Sequence, residues 1–295
     1  MLYQTPDAYL QAPRKSVALV GMSGVGKTRL AAMLRAAGAW FHYSVDYRIG
    51  TRYMGEHIVD NFKREAMRNP FLRSLLLSDS IYISSNLTFE NLAPLSTYLG
   101  KPGDAAKGGL DFEDYVARQA QHRDAETQAL LDTGQFIEKA REIYGYPHFL
   151  CDTGGSICEV VDPWDTGDPV LSALSARCLI VEIRGTEAMA DDLAARFAAD
   201  PKPMYYQEAF LREIWDAYRA NHGEKPSAVD PDAFAIWGFR RLIAHREPRY
   251  RAIGTRWGVT VAAESIEAVR GPADFDRLLA EALAARTGAE TRQHG

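Results

Sequence analysis

Residues 16–28 read Ser-Val-Ala-Leu-Val-Gly-Met-Ser-Gly-Val-Gly-Lys-Thr, and this run constrains the chain more than any other. Gly21, Gly26, Lys27 and Thr28 fit G-x-x-x-x-G-K-[ST], with an extra glycine at Gly24. The apolar, β-branched run Val17 to Val20 precedes the motif, and a stretch rich in Ala, Leu, Arg and Met follows from Lys27 to Ala37. A glycine-rich turn between a strand and a helix can aim backbone N–H groups at a polyphosphate, because residues without Cβ let the chain come close. The helix N-terminus adds partial positive charge, the lysine a full charge on the β/γ-phosphates, and the threonine hydroxyl a ligand for Mg²⁺. The residues expected around the nucleotide are Gly21, Ser23, Gly24, Val25, Gly26, Lys27, Thr28 and Arg29, with ATP and Mg²⁺ as the implied ligands.

Composition narrows the rest. The 295 residues are 46% hydrophobic and 25% charged, which suits a globular chain with room for one large domain or a core with a sizeable insertion. A net charge of −5 gives no electrostatic reason to expect nucleic-acid binding. No segment approaches the ~18 uninterrupted apolar residues of a membrane span, and no signal-peptide pattern opens the chain, so a cytoplasmic protein is expected. The three cysteines, Cys151, Cys158 and Cys178, lie in or near apolar segments without C-x-x-C spacing and read as buried small hydrophobes.

The pattern along the chain alternates strands and helices. Strands are expected at about 16–21, 40–44, 148–152, 178–183 and 258–261, and helices at about 27–38, 56–68, 187–199, 207–221, 230–246 and 272–286. Two further helices are expected within 111–144, broken near Thr133-Gly134. This order implies a three-layer α/β/α sandwich on a parallel sheet. The organisation read from it is an N-terminal arm over 1–15 and a nucleotide-binding domain over 16–289. That domain would carry a mainly helical insertion at about 66–147 and a lid or helical region at about 200–250, with a polar tail at 290–295.

In a parallel sheet, reactive groups gather at the carboxyl ends of the strands. Asp46 follows the second strand, and Asp152 ends an apolar strand, as an acid serving Mg²⁺ should. Asp152 also heads the turn Thr153-Gly154-Gly155-Ser156, whose paired glycines let a ligand or a second loop reach the backbone. A basic run, from Arg240 and Arg241 through His245, Arg246, Arg249 and Arg251 to Arg256, is nearly unbalanced by acids. It reads either as a solvated helix face or as a grip on phosphate or carboxylate.

In the order of these parts, the chain resembles shikimate kinase and its relatives among the small-molecule kinases built on this phosphate loop. Ser44-Val45-Asp46 looks like the family's D-[ST]-D with the first acid replaced. Phe62-Lys63-Arg64 looks like its arginine-bearing helix, and Thr153-Gly154-Gly155-Ser156 like its T-G-G-G turn. Arg246-Glu247-Pro248-Arg249-Tyr250 looks like its R-x-P-L-Y segment, and Asp200 to Tyr206 falls where the family has a lid, with Lys202 as the basic residue.

The resemblance implies that Asp46 contacts the acceptor hydroxyl and takes its proton. It also implies that Arg64, Gly154, Gly155 and Arg246 hold an anionic small-molecule acceptor, and that Thr28 and Asp152 serve the metal. Lys27, Asp46, Arg246 and Lys202 would then carry the chemistry. Residues 66–147 and 207–245 have no counterpart in compact members, which points to a different, bulkier acceptor. The alternative is a nucleotide hydrolase or switch acting with a protein partner; no N-K-x-D guanine reader and no strand-ending D-E pair speaks for it.

Overall fold

The computed structural model describes residues 2–223 and 225–293. Five strands form one all-parallel sheet: β1 (Ser16–Val20), β2 (Trp40–Ser44), β3 (His148–Asp152), β4 (Leu179–Arg184) and β5 (Gly258–Ala262), in the order β2-β3-β1-β4-β5. Helices flank the sheet, so the fold is the expected α/β sandwich. A parallel sheet covered on both faces has strands that are apolar throughout, and β1 and β4 read that way.

The register places Leu19 beside Asp152, Ser44 beside Asp152, and Val20 beside Glu182. Val17, Leu19, Leu150, Val181 and Val261 point to one face. There they pack with Leu30 and Leu34 of the helix Lys27–Ala36 and with Phe275, Leu279 and Leu283 of the helix Pro272–Gln293. Phe149, on the opposite face, stacks on Tyr43, which meets Phe136 of the helix Thr133–Glu142.

The chain divides into two compact units. The first comprises residues 1–45, 130–199 and 239–295; the second comprises 46–129 and 200–238. The first holds the whole sheet. Residues 1–15, expected as an aperiodic arm, contain the helix Pro6–Leu10, capped by Thr5, and Tyr9 is fully buried in the sheet core. Its hydroxyl donates to Asp276 at 2.8 Å, which ties the segment to the last helix. That helix runs to Gln293; of the expected polar tail, 294–295 lie outside the described residues.

The second unit is helical. Its longer elements are Gly55–Arg68, Phe112–Leu131 and Glu208–His222. Phe112 stacks on Trp215 with centroids 4.6 Å apart, and Phe234 meets the edge of the same indole at 4.9 Å. Residues 201–207 form neither helix nor strand but are held to the helix Phe112–Leu131. The Tyr115 hydroxyl and the Gln119 amide both donate to the Met204 carbonyl, and Gln119 Oε1 accepts from Tyr206 N at 2.9 Å.

The helix expected at 230–246 runs instead from Pro231 to Trp257, through Pro248. Among the described residues, no helix is long and apolar enough to cross a membrane.

Candidate nucleotide site

The loop 21–26 leaves the carboxyl end of the central strand β1 and enters the helix Lys27–Ala36. Its three glycines hold positive φ: Gly21 at 147°, Gly24 at 87° and Gly26 at 94°. At Gly21 the reason is also steric, since a Cβ there would lie 2.6 Å from the Ile183 carbonyl oxygen of β4. Gly26 is the helix N-cap and has no side chain with which to cap, so the first-turn N–H groups remain available to an anion. Lys27 is buried, and its ammonium donates to the carbonyls of Gly21 at 2.6 Å and Met22 at 2.9 Å. The charge thus sits inside the curl of the loop.

Thr28 and Asp152, paired in the sequence reading only by role, meet here. Thr28 Oγ1 donates to Asp152 Oδ2 at 3.1 Å. The carboxylate is buried, and its other oxygen accepts from Gly154 N at 3.2 Å. A hydroxyl and a carboxylate side by side at the end of a phosphate loop are hard oxygen donors, and they suit Mg²⁺. Among the described residues, no group of three or more His, Cys, Asp or Glu forms a self-contained metal site. A Mg²⁺ ion here would therefore draw most of its ligands from phosphate and water, as that ion commonly does.

The Thr153–Ser156 turn lies directly against the loop. Thr153 Oγ1 donates to the Leu19 carbonyl at 2.8 Å, and a Cβ on Gly155 would approach Ser23 Oγ to 2.5 Å. Beside the loop opens a cavity of about 570 Å³. It is lined by Ser23, Gly24, Met189, Leu193, Arg196 and Glu267, and has room for a nucleoside. The side chain of Arg29, expected at the nucleotide, donates to the Ile266 carbonyl at 3.1 Å, and its backbone lies in the first turn of the helix that follows the loop.

The basic run has a use that was not legible in the sequence. Arg246 is buried; its Nε donates to Glu159 Oε1 at 2.8 Å and its Nη1 to the Gly155 carbonyl at 2.8 Å. Arg249 donates to the carbonyls of Cys158 and Val161, Arg256 to that of Trp164, and the Trp257 indole to that of Pro163. One helix thus supplies partners for carbonyls that the segment 155–164, whose only helical turn is Ile157–Val160, does not satisfy by itself. Burial by itself would raise the Glu159 carboxyl, but His245, 3.5 Å away, and the charge of Arg246 bring it down to about 2. Burial opposes the Arg246 cation, and the Glu159 charge more than restores it.

The first unit therefore brings together the loop 21–28, Asp152, Gly154, Gly155 and Arg246. Asp46, Arg64 and Lys202 belong to the second unit. Asp46 lies two residues beyond Ser44, at the carboxyl end of β2. Arg64 is exposed on the helix Gly55–Arg68, and Lys202 is exposed with its ammonium 3.3 Å from Asp200. Sequence reasoning missed Glu159 and Arg196. For Glu159 the available signal was an acid set within the otherwise apolar run Ile157 to Val161, just past the glycine turn.

No family model matches this chain, and no curated protein matches it. Among solved structures, the chain is similar to a shikimate kinase from Bacteroides thetaiotaomicron. The identity is 13% and the TM-score 0.38, and the alignment covers 94% of this chain and 98% of that one. A likeness this distant carries no inference about activity.

Proposed function

We propose that this chain is an ATP- and Mg²⁺-dependent kinase that moves the γ-phosphoryl group of ATP to a hydroxyl of a small anionic metabolite. One observation carries the reading: the lysine-bearing glycine loop and the Thr28–Asp152 hydrogen bond at 3.1 Å lie together at the carboxyl end of β1 and β3. Residues 21–28 would hold the phosphates, and Thr28 and Asp152 would serve the metal, which would neutralise phosphate charge when bound. Asp46 is the proposed acceptor of the hydroxyl proton. As the acceptor oxygen bonds to the γ-phosphorus, the bond from that phosphorus to the bridging oxygen breaks, ADP leaves, and the proton passes to the carboxylate. Arg64 and Lys202, both exposed, are the cations proposed for an anionic acceptor.

The test is turnover with and without acceptor. Pure protein with ATP and Mg²⁺ should release almost no ADP until a metabolite fraction is added, because kinases keep water out of the reaction until the acceptor is bound. Full ATP turnover in buffer alone, unchanged by any fraction, would replace this reading with the hydrolase. The acceptor can then be sought by thermal stabilisation in the presence of a non-hydrolysable ATP analogue, since a ligand at 100 times its Kd adds about 2.7 kcal/mol.

A further inference from the structure

Arg246 was the residue expected to grip the acceptor, yet its guanidinium faces Glu159 and the Gly155 carbonyl, and almost none of it is exposed. Resting on the nucleotide reading above, we propose that Glu159 and Arg246 are positioning residues of the nucleotide site. The pair fixes where the Thr153–Ser156 turn lies against the phosphate loop, and through that turn it sets the geometry of Asp152.

The argument follows the bonds outward. Glu159 is fully buried and reaches Arg246 Nε at 2.8 Å, with His245 Nε2 3.5 Å from its other oxygen. A planar guanidinium held at one edge has its remaining donors aimed in fixed directions, and Nη1 takes the Gly155 carbonyl. Gly155 in turn is so near Ser23 that only a residue without a side chain fits while the serine keeps its rotamer. One residue earlier, Gly154 N holds Asp152 Oδ1, and the other oxygen of that carboxylate takes the Thr28 hydroxyl. Three hydrogen bonds and the peptide link between Gly154 and Gly155 therefore lead from Glu159 to Asp152, the acid of the pair expected to serve Mg²⁺.

Stability alone does not account for such a pair, because well-packed apolar residues of similar volume commonly replace a buried ion pair without loss. A fixed distance between helix and turn is what an apolar contact would not supply.

The experiment measures binding of a non-hydrolysable ATP analogue by calorimetry, with Mg²⁺ and with EDTA, well below each variant's melting midpoint. The variants are Glu159→Gln, Arg246→Lys and the apolar double replacement Glu159→Leu with Arg246→Met. Support from an outer partner of a metal ligand is commonly worth 10–100-fold, so Glu159→Gln and Arg246→Lys should weaken Mg²⁺-dependent binding by about tenfold or more. Binding in EDTA should stay unchanged.

The double replacement separates positioning from stability: its melting temperature should recover toward wild type while Mg²⁺-dependent binding stays weak. Recovery of both together, or wild-type binding in Glu159→Gln, would overturn the proposal. A wild-type protein that binds no Mg²⁺·analogue at all would overturn the nucleotide reading itself. Wild-type binding with unaffected variants would remove only the role of the pair.

Discussion

Lys27 is the residue whose role is easiest to isolate. Its ammonium rests on two loop carbonyls rather than in the sheet core, so Lys27→Ala should leave the fold intact. A charge-assisted hydrogen bond is worth about 1.5–3 kcal/mol, so affinity for the Mg²⁺·ATP analogue should fall by about one to two orders of magnitude. Calorimetry with a circular-dichroism control checks this, and near-wild-type affinity in a folded variant would remove the loop from the proposed site. Glu159 offers a pH signature. Its carboxyl falls from an ordinary 4.5 to about 2 on folding, so the unfolded chain binds the proton more tightly. The stabilisation is then complete above about pH 4.5 and is lost as the pH falls toward 2. At 1.36 kcal/mol per unit, the contribution is of the order of 3 kcal/mol. Melting temperatures of wild type and Glu159→Gln should therefore converge between pH 5 and 2, and a constant difference across that range would contradict the assignment.

Between residues and the whole chain, the elements show what a sequence can and cannot carry. The expected strand at Trp40 to Ser44 and the expected one at His148 to Asp152 are found with those bounds, and the helix 187–199 likewise. Each has a local signal: a short apolar run ending in a polar residue, or a helical run closed by Asp200-Pro201. The order of the sheet has no such signal, because pairing β1 with both β3 and β4 is decided by non-local contacts. The helix through Pro248 is another case. Proline in a helix interior removes one hydrogen bond and disfavours the turn before it, so Pro248 in the sequence speaks against a helix that runs on past it. The carbonyls of 155–164 reward its continuation, since Arg249, Arg256 and Trp257 all lie beyond the expected end. For the candidate site, the loop and Asp152 were legible from motif and strand end, whereas the Glu159–Arg246 pair joins residues 87 positions apart. Gly21 tests the packing of the loop on β4. With φ at 147° and the Ile183 oxygen 2.6 Å from where a methyl group would sit, Gly21→Ala should cost about 1–3 kcal/mol. Urea unfolding should show a lower midpoint at unchanged slope; an unshifted midpoint would mean that the loop relaxes freely.

At the scale of the molecule, each unit has its own logic. The second assembles from two separated stretches, 46–129 and 200–238, and its internal ties are long-range in sequence. Arg212 forms a bidentate pair with Glu113, and Lys107 pairs with Asp230. Such ties explain why a unit made of two insertions could not be delimited from composition. The first unit holds the loop, Asp152, the glycine turn and the 570 Å³ cavity, so a nucleotide should act there. Hydrogen exchange on the full chain, with and without Mg²⁺ and a non-hydrolysable ATP analogue, gives the test. A ligand that binds only the native state slows exchange most where local opening would break its own contacts. Protection should therefore rise first in peptides covering 21–29 and 152–159. The peptide covering 78–92 serves as an internal reference, because it contains no helix or strand and carries Tyr82 almost fully exposed; it should exchange rapidly in both states. Protection that appeared only within 46–129, with 21–29 unchanged, would move the nucleotide out of the loop and into the helical unit.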